Sequence, residues 1–389
     1  MSNVLKEDLQ LRYRKVRGAM AAAGVDALLV QSNLNNLYLA GEIFAGCTYL
    51  PLEGETLFFV RRDSGISGPC VFPIYKPEQI PDILKSQGYQ VPRQLGLEFV
   101  ELSHLNWLRL DSLWPQAVSV NASGILAEAR AVKTPYEIAL MKKTGSRHAA
   151  VVEQFASVYE EGMTDQAWMI EMTHLMLKAG SLGIFRVAGE SMEAFMGTVL
   201  AGDNGGAVSP YDFALGGAGL DPSYPVGQSG VLLRPGISVM VDIAANFYGY
   251  LTDCSRIYAL GRLPRRALDA HQLSLDIHAV LAERGVPGVA ARELYSIALD
   301  MVEKYGFADC FMGIKQQAKF VGHGTGLVIN EQPVLGARSK NVLQAGMCIA
   351  LEPKFVIPGV GAVGAEDTYL VTETGWSCLT PLSREIIEL

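Results

Sequence analysis

The chain has 389 residues, 49% of them hydrophobic, and a formal net charge of -8. This length exceeds one typical domain and predicts two, with ample chain for buried cores, while the hydrophobic fraction excludes disorder. The acidic balance and the lack of any Lys/Arg-rich run exclude nucleic acid as the main partner, and no apolar run approaches a membrane span.

The first stretch, MSNVLKEDLQLRYRKVRGAM, has the pattern of a charged amphipathic helix without an apolar signal core, so a cytoplasmic protein is expected. Six scattered cysteines without a CxxC motif fit a reducing compartment. DALLVQS reads as a strand, followed by NLNNLYLAG. TYLPLEGETLFFV reads as a hairpin turning at Gly54-Glu55, KPEQIPDILKSQG as a helix and QLGLEFVEL as a strand. Residues 1–128 therefore form an α/β unit. Its one histidine, His104, follows Ser103 at a helix start and reads as a surface or capping residue.

A linker then leads into a long helix, with Thr134 as N-cap, Pro135 in the first position and Glu137 in the third. Residues 129–389 are assigned to a second domain. On the long helix, His148 shares a face with Ile138, Met141, Val152 and Phe155 and reads as a core or interface histidine. A faint repeat follows: Gly162-Met163-Thr164 opens a helix closed by Gly180, and Gly288-Val289-Ala290 opens one closed by Gly306. A duplicated half would give a pseudo-twofold axis. Residues 197–236, rich in Gly, Pro and Ser, read as a long loop of the kind that carries function. His271 and His278 are a heptad apart on a predicted helix without nearby acids, which makes them weak metal candidates.

Two apolar hairpins carry acids. In SVMVDIAANFYGYLTDCSRIYAL, Asp242 and Asp253 are symmetric about the Phe247/Tyr248 junction; in CIALEPKFVIPGVGAVGAEDTYLV, Glu352 and Glu366 are equidistant from Gly359. Opposed residues of an antiparallel pair have Cβ atoms roughly 4.5–5.5 Å apart, where like charges destabilise. Something positive is expected between them. Cys254 and Cys348, within the same hairpins, read as small core residues. A nitrogen donor is offered by His323, placed on a tight loop whose Gly322, Gly324 and Gly326 would let backbone approach an ion. Four carboxylates and one imidazole carry enough charge for two divalent ions, and this oxygen-rich set suits Mn²⁺, Co²⁺ or Fe²⁺ better than structural Zn²⁺.

These motifs resemble the metallopeptidase group of creatinase, aminopeptidase P, prolidase and methionine aminopeptidase, over the whole chain. The resemblance implies a creatinase-type N-terminal α/β domain, around NLYLAG, and a catalytic domain of the pita-bread fold, hence an α/β (α+β) class. It matches Asp242, Asp253, His323, Glu352 and Glu366 to the family's five metal ligands and gives Glu352 the further role of general base. Three positions depart from it. Asn330 stands where peptidases of the group have a second histidine, with Glu331 retained after it. Around PSYP the loop histidine is replaced, leaving Ser223 or Tyr224 as substrate-binding candidates. Gly364 stands where proline peptidases often have arginine.

The implied function is a dinuclear-metal hydrolase resembling Xaa-Pro dipeptidases and aminopeptidases, cleaving short peptides at an N-terminal residue before proline, as a homodimer. Two other readings remain: a metal-dependent hydrolase or lyase of a small non-peptide molecule, suggested by the replaced histidines, and a non-catalytic binding protein that keeps the fold.

Overall fold

The computed structural model describes residues 2–62, 66–187, 196–211 and 213–389. It divides into two compact units, Met1–Arg130 and Ala131–Leu389. The first contains α1 (Asn3–Ala23), β1 (Ala27–Val30), α2 (Asn33–Ala40), β2 (Gly46–Pro51), β3 (Leu57–Val60) and β4 (Val71–Pro73), then α3 (Ile80–Ser86), β5 (Gln94–Leu97), α4 (His104–Asp111), β6 (Val118–Asn121) and α5 (Ser123–Ala131). Its six strands form one mixed sheet in the order β4-β3-β2-β1-β5-β6. The strand expected across QLGLEFVEL ends at Leu97, because Glu98 turns inward. Its buried carboxylate accepts from the backbone N–H groups of Gln31 (2.6 Å) and Ser32 (2.9 Å) and from Asn35 Nδ2 (2.6 Å), satisfying donors at the end of β1 that have no ladder partner. His104 starts α4 and stacks on Trp107 at 5.7 Å, while Ser103 provides the cap.

The second unit runs α6 (Pro135–Val152), α7 (Asp165–Lys178), β7 (Gly197–Ala201), β8 (Ser238–Phe247), β9 (Tyr250–Ala259), α8 (Arg265–Arg284), α9 (Ala291–Lys304), β10 (Phe320–Gly324) and β11 (Glu331–Gly336). It closes with β12 (Cys348–Leu351), β13 (Lys354–Ile357), β14 (Gly361–Gly364), β15 (Glu366–Thr372), β16 (Gly375–Cys378) and β17 (Ile387–Glu388). The main sheet orders its strands β11-β10-β12-β15-β9-β8-β7, with β16 beside β15 and β17 beside β9, while β13 and β14 form a separate ribbon. The expected loop at 197–236 thus begins with a strand, since the apolar TVLA run pairs with β8.

Both sheet faces are covered, which is why these strands read as continuous apolar runs. The odd-numbered residues of β8, Val239, Val241, Ile243, Ala245 and Phe247, pack in one core with Trp168, Met172 and Met176 of α7. The intervening residues face the other way, so Asp242 points away from this core. His148 is a core histidine, its Nδ1 3.1 Å from Thr252 Oγ1. The repeat is visible in how α7 and α9 dock. Asp165 N–H donates to Val231 O and Leu233 N–H to Met163 O; likewise Ala291 N–H donates to Asn341 O and Leu343 N–H to Val289 O.

His271 and His278 of α8 do share a face, and it is a structural one. His271 Nε2–H donates to Arg384 O (2.7 Å), leaving Nδ1 to accept from Gly364 N–H (3.2 Å). Ser274 Oγ accepts from Ala365 N–H at 3.0 Å. His278 Nε2–H donates to Ala365 O (2.9 Å), so its Nδ1 accepts from Tyr369 O–H (2.9 Å). Both rings are therefore fixed in one neutral tautomer, and together they hold the break between β14 and β15.

Burial lowers His278 to about 4 and His148 to about 3. Because these folded-state values lie below the unfolded value, the unfolded chain binds more protons between them, and stability is lost as pH falls. Denaturant melts from pH 7 to pH 4 should show unfolding free energy declining below about pH 6.5. His278→Gln should flatten that slope by on the order of one proton.

Candidate active site

Neighbouring strands of the main sheet each bring one of the predicted site residues to a single place. His323 lies on β10, Glu352 immediately after β12, Glu366 at the start of β15, Asp253 on β9 and Asp242 on β8, and these strands are adjacent in that order. Side-chain donor atoms of Asp253, His323 and Glu366, one from each, lie within 4.8 Å of one another, and so do one each from Asp242, Glu352 and Glu366. All five line a cavity of about 630 Å³ whose other walls include Phe185, Tyr211, Phe213, Ile329 and Asn330.

The two hairpins reach this arrangement differently. In the ribbon closed by Pro358-Gly359-Val360, Lys354 pairs with Gly364 and Ile357 with Gly361, and the same register in β12 and β15 pairs Leu351 with Asp367. Glu352 and Glu366 therefore face each other as expected. The other hairpin turns one residue later than its symmetry suggests. Tyr248 (φ 54°) and Gly249 (φ 80°) both adopt left-handed backbone, the signature of a two-residue primed turn. Phe247 consequently pairs with Tyr250, which sets Asp242 opposite Ser255 and Asp253 opposite Ala244. The two aspartates are diagonal neighbours on one face.

His323 is on a strand, not a tight loop, paired with Ala350 of β12 and Val334 of β11. The adjacent glycines serve strand contact rather than ion approach: a Cβ on Gly322 would lie 2.6 Å from Ala350 O, and one on Gly324 2.1 Å from Gln332 O. His323 Nδ1–H donates to Gly324 O at 3.2 Å, and its Nε2 faces the cavity 3.4 Å from Glu352 Oε1. Burial opposes its protonation, but the Glu352 carboxylate raises His323 above the ordinary imidazole value. Of the substrate-binding candidates, Asn330 and Tyr224 line the cavity. Ser223 does not. Its N–H and hydroxyl both bond to Asp221 Oδ1, at 2.8 and 2.6 Å, in an exposed turn.

Lys354, which motif reading passes over, is the first residue of β13 and fully buried. Its ammonium lies 2.7 Å from Asp242 Oδ2, 2.7 Å from Glu352 Oε2 and 2.8 Å from Glu366 Oε2. A signal was present in the sequence. Lys354 follows Glu352 by two residues, and in an extended chain such residues share a face. Ser255 was also missed; facing Asp242 in register, it donates to Glu366 Oε2 at 2.7 Å.

Burial alone would depress Lys354, but Asp242, Glu352 and Glu366 hold it well above the ordinary lysine value. Burial opposes ionisation of Glu352 too, and the charge of Lys354 with the His323 contact overrides it, bringing that carboxyl down to about 2. Glu366 goes the other way. Burial and the negative charge of Glu352 push it up to about 8. Asp253 is raised by burial and then by Glu366 and Asp242. Glu366 Oε1 is buried without a hydrogen-bond partner. The set of Asp253, His323 and Glu366 thus has an unmet acceptor and an imidazole nitrogen facing the cavity, a donor set that fits a divalent cation taking the place of the Nε2 proton. The set of Asp242, Glu352 and Glu366 already surrounds a cation of the protein's own.

Behind the site, Asp367 points to the opposite side of β15 from Glu366. Its Oδ1 accepts from Arg256 Nη2 (2.7 Å) and Thr380 Oγ1 (2.8 Å), and its Oδ2 from Arg384 Nε (2.5 Å). Arg256 Nη1 also donates to Glu366 O at 2.8 Å, fixing the backbone of a site residue.

A mixed α/β N-terminal unit followed by a sheet that gathers carboxylates and an imidazole defines a metallohydrolase class. Residues 139–373 match the model of metallopeptidase family M24, and residues 12–132 that of the creatinase/prolidase N-terminal domain. The chain belongs to metallopeptidase family M24, a family of hydrolases that implies use of a divalent metal. It is similar to an Xaa-Pro dipeptidase of Pyrococcus horikoshii, at 25% identity over 97% of this chain and 98% of that one. In structure it is similar to an Xaa-Pro dipeptidase from Bacillus anthracis, with a TM-score of 0.79 and 22% identity over 98% of this chain and 100% of that one. The prolidase from Pyrococcus horikoshii gives a TM-score of 0.78 at 22% identity, covering 97% and 99% of the two chains. At this identity the structural likenesses establish the pita-bread fold.

Removing the Asp367 carboxylate would leave Arg256 and Arg384 facing each other across a buried gap. Asp367→Ala should lower the unfolding free energy by about 3–5 kcal/mol, measured by urea titration. A loss under about 1 kcal/mol would show that the pair is replaceable by water.

Proposed function

We propose that the chain is a metal-dependent peptidase that hydrolyses a short peptide after an N-terminal residue that precedes proline. The observation that carries this reading is the meeting of Asp253, His323, Glu352 and Glu366 in one aromatic-walled cavity. Its volume of about 630 Å³ falls in the range of small-ligand sites, roughly 300–1,000 Å³. Asp253, His323 and Glu366 would hold the cation, with Mn²⁺, Co²⁺ or Fe²⁺ suited to these donors. A divalent ion supplies polarisation of the scissile carbonyl and a lowered pKa for the attacking water. Glu352 is the general base: its carboxylate, ionised beside Lys354 and His323, receives the proton of that water at Oε1 and returns it to the leaving amine. Tyr224 and Asn330, which line the same cavity, position the substrate. Dimerisation and a cytoplasmic location are part of the same proposal, by analogy with the family.

Asn330 supports a second reading, a metal-dependent hydrolase or lyase of a small non-peptide molecule. Its amide donates a hydrogen bond but cannot carry a proton as a histidine would, so an amine leaving group gains less assistance here than beside an imidazole.

Protein supplied with Mn²⁺ or Co²⁺ should hydrolyse members of an Xaa-Pro dipeptide and tripeptide panel. Glu352→Gln should lower kcat by roughly 10²–10⁴-fold with KM changed little. Inactivity on every peptide, combined with turnover of a small non-peptide molecule in a metabolite screen, would replace the first reading by the second.

A further inference from the structure

We propose that Lys354 stands in for one of the two ions such a carboxylate cluster would otherwise require, so that the chain binds a single divalent cation, at Asp253, His323 and Glu366. This rests on the reading of the cluster as the working site and deepens it.

The ammonium has three donors, and it meets three carboxylate oxygens at 2.7, 2.7 and 2.8 Å, one from each acid of the second set. A divalent ion bound by the same oxygens would lie roughly 2.0–2.6 Å from them. That position overlaps the nitrogen. Ion and ammonium cannot share it, and as like charges at contact distance they would repel strongly in this buried setting.

The lysine is committed to its place by the fold. It begins a strand whose residues are all buried, and its cross-strand partner is Gly364. A Cβ on Gly364 would come within 2.5 Å of Pro353 O and 3.1 Å of Lys354 Cα, so no side chain can stand there to displace it. Withdrawing the ammonium would require another buried group of acceptors. Among the described residues, its ion pairs are with Asp242, Glu352 and Glu366.

The first set offers what the second lacks. Glu366 is 1% exposed and its Oε1 has no partner. His323 has given its Nδ1–H to Gly324 O, a hydrogen bond of the kind that orients metal-binding imidazoles. Lys354 is therefore a positioning residue. It fixes Asp242 and Glu352 and supplies charge, but unlike an ion it offers no coordination site for water or a carbonyl oxygen. Asp242 becomes an anchor for the lysine.

The test is a metal count on the full-length chain, stripped with a chelator and then equilibrated with excess Mn²⁺. Elemental analysis should give one tightly held manganese per wild-type chain, with the paramagnetic resonance spectrum of an isolated ion. Lys354→Met and Lys354→Gln should each raise the count to two and give the spectrum of a spin-coupled pair; if one variant does not fold, the other is read. Two ions in the wild type, or a count of one that neither variant raises, would overturn the role given to Lys354 while leaving the hydrolase reading intact. No bound manganese in wild type or variants would overturn both.

Discussion

Mutual repulsion among acids buried on adjacent strands is the constraint around which the second unit is organised. Asp253, Glu352 and Glu366 are all nearly inaccessible to solvent, and at such depth uncompensated carboxylates are too costly to remain ionised. The protein answers with a lysine that reaches three acids at once. That lysine leaves Glu366 Oε1 buried without a partner, an acceptor still unmet. Compensation for one set of acids and an unmet demand at the other thus come from the same geometry.

Much of this was legible because backbone pairing is arithmetic. The turn residues Pro358 and Gly359 fix the register that places Glu352 against Glu366. The same reasoning failed by one residue in the other hairpin. There Tyr248, a bulky side chain, takes a positive φ that composition gives little reason to expect, and the turn moved with it. Lys354 was hidden for another reason. Pro353 interrupts the strand between β12 and β13, so the lysine reads as the start of a new segment, although its spacing from Glu352 already put both on one face. The glycines around His323 were visible, but their purpose was not, since close strand contact and close ion approach ask for the same absence of a Cβ.

Alternation along β15 assigns neighbouring acids to different work. Glu366 faces the cavity; Asp367, one residue on, is sealed between Arg256 and Arg384. The second cluster stiffens the first, because Arg256 also binds the carbonyl of Glu366, and α8 pins Gly364 and Ala365 just before it through His271, Ser274 and His278. The histidines of α8, unpromising as ligands in the sequence, instead hold the strand that carries a central acid. Such preorganisation matters because a carboxylate displaced by about 1 Å loses much of its catalytic value.

Fold and site therefore have to be argued separately. The pita-bread sheet brings these five residues together by topology alone, and any chain with this strand order and register will do so. What the assembled acids then hold depends on which side chains arrive from the ribbon beside them. In this protein Gly364 leaves the space opposite β13 clear, and the directly paired Lys354 brings its charge to the acids that line the cavity. A cation tethered to the backbone is always present, is not exchanged with the medium and cannot accept a ligand. In the single-ion site we propose, it serves as an electrostatic support and leaves coordination chemistry to Asp253, His323 and Glu366.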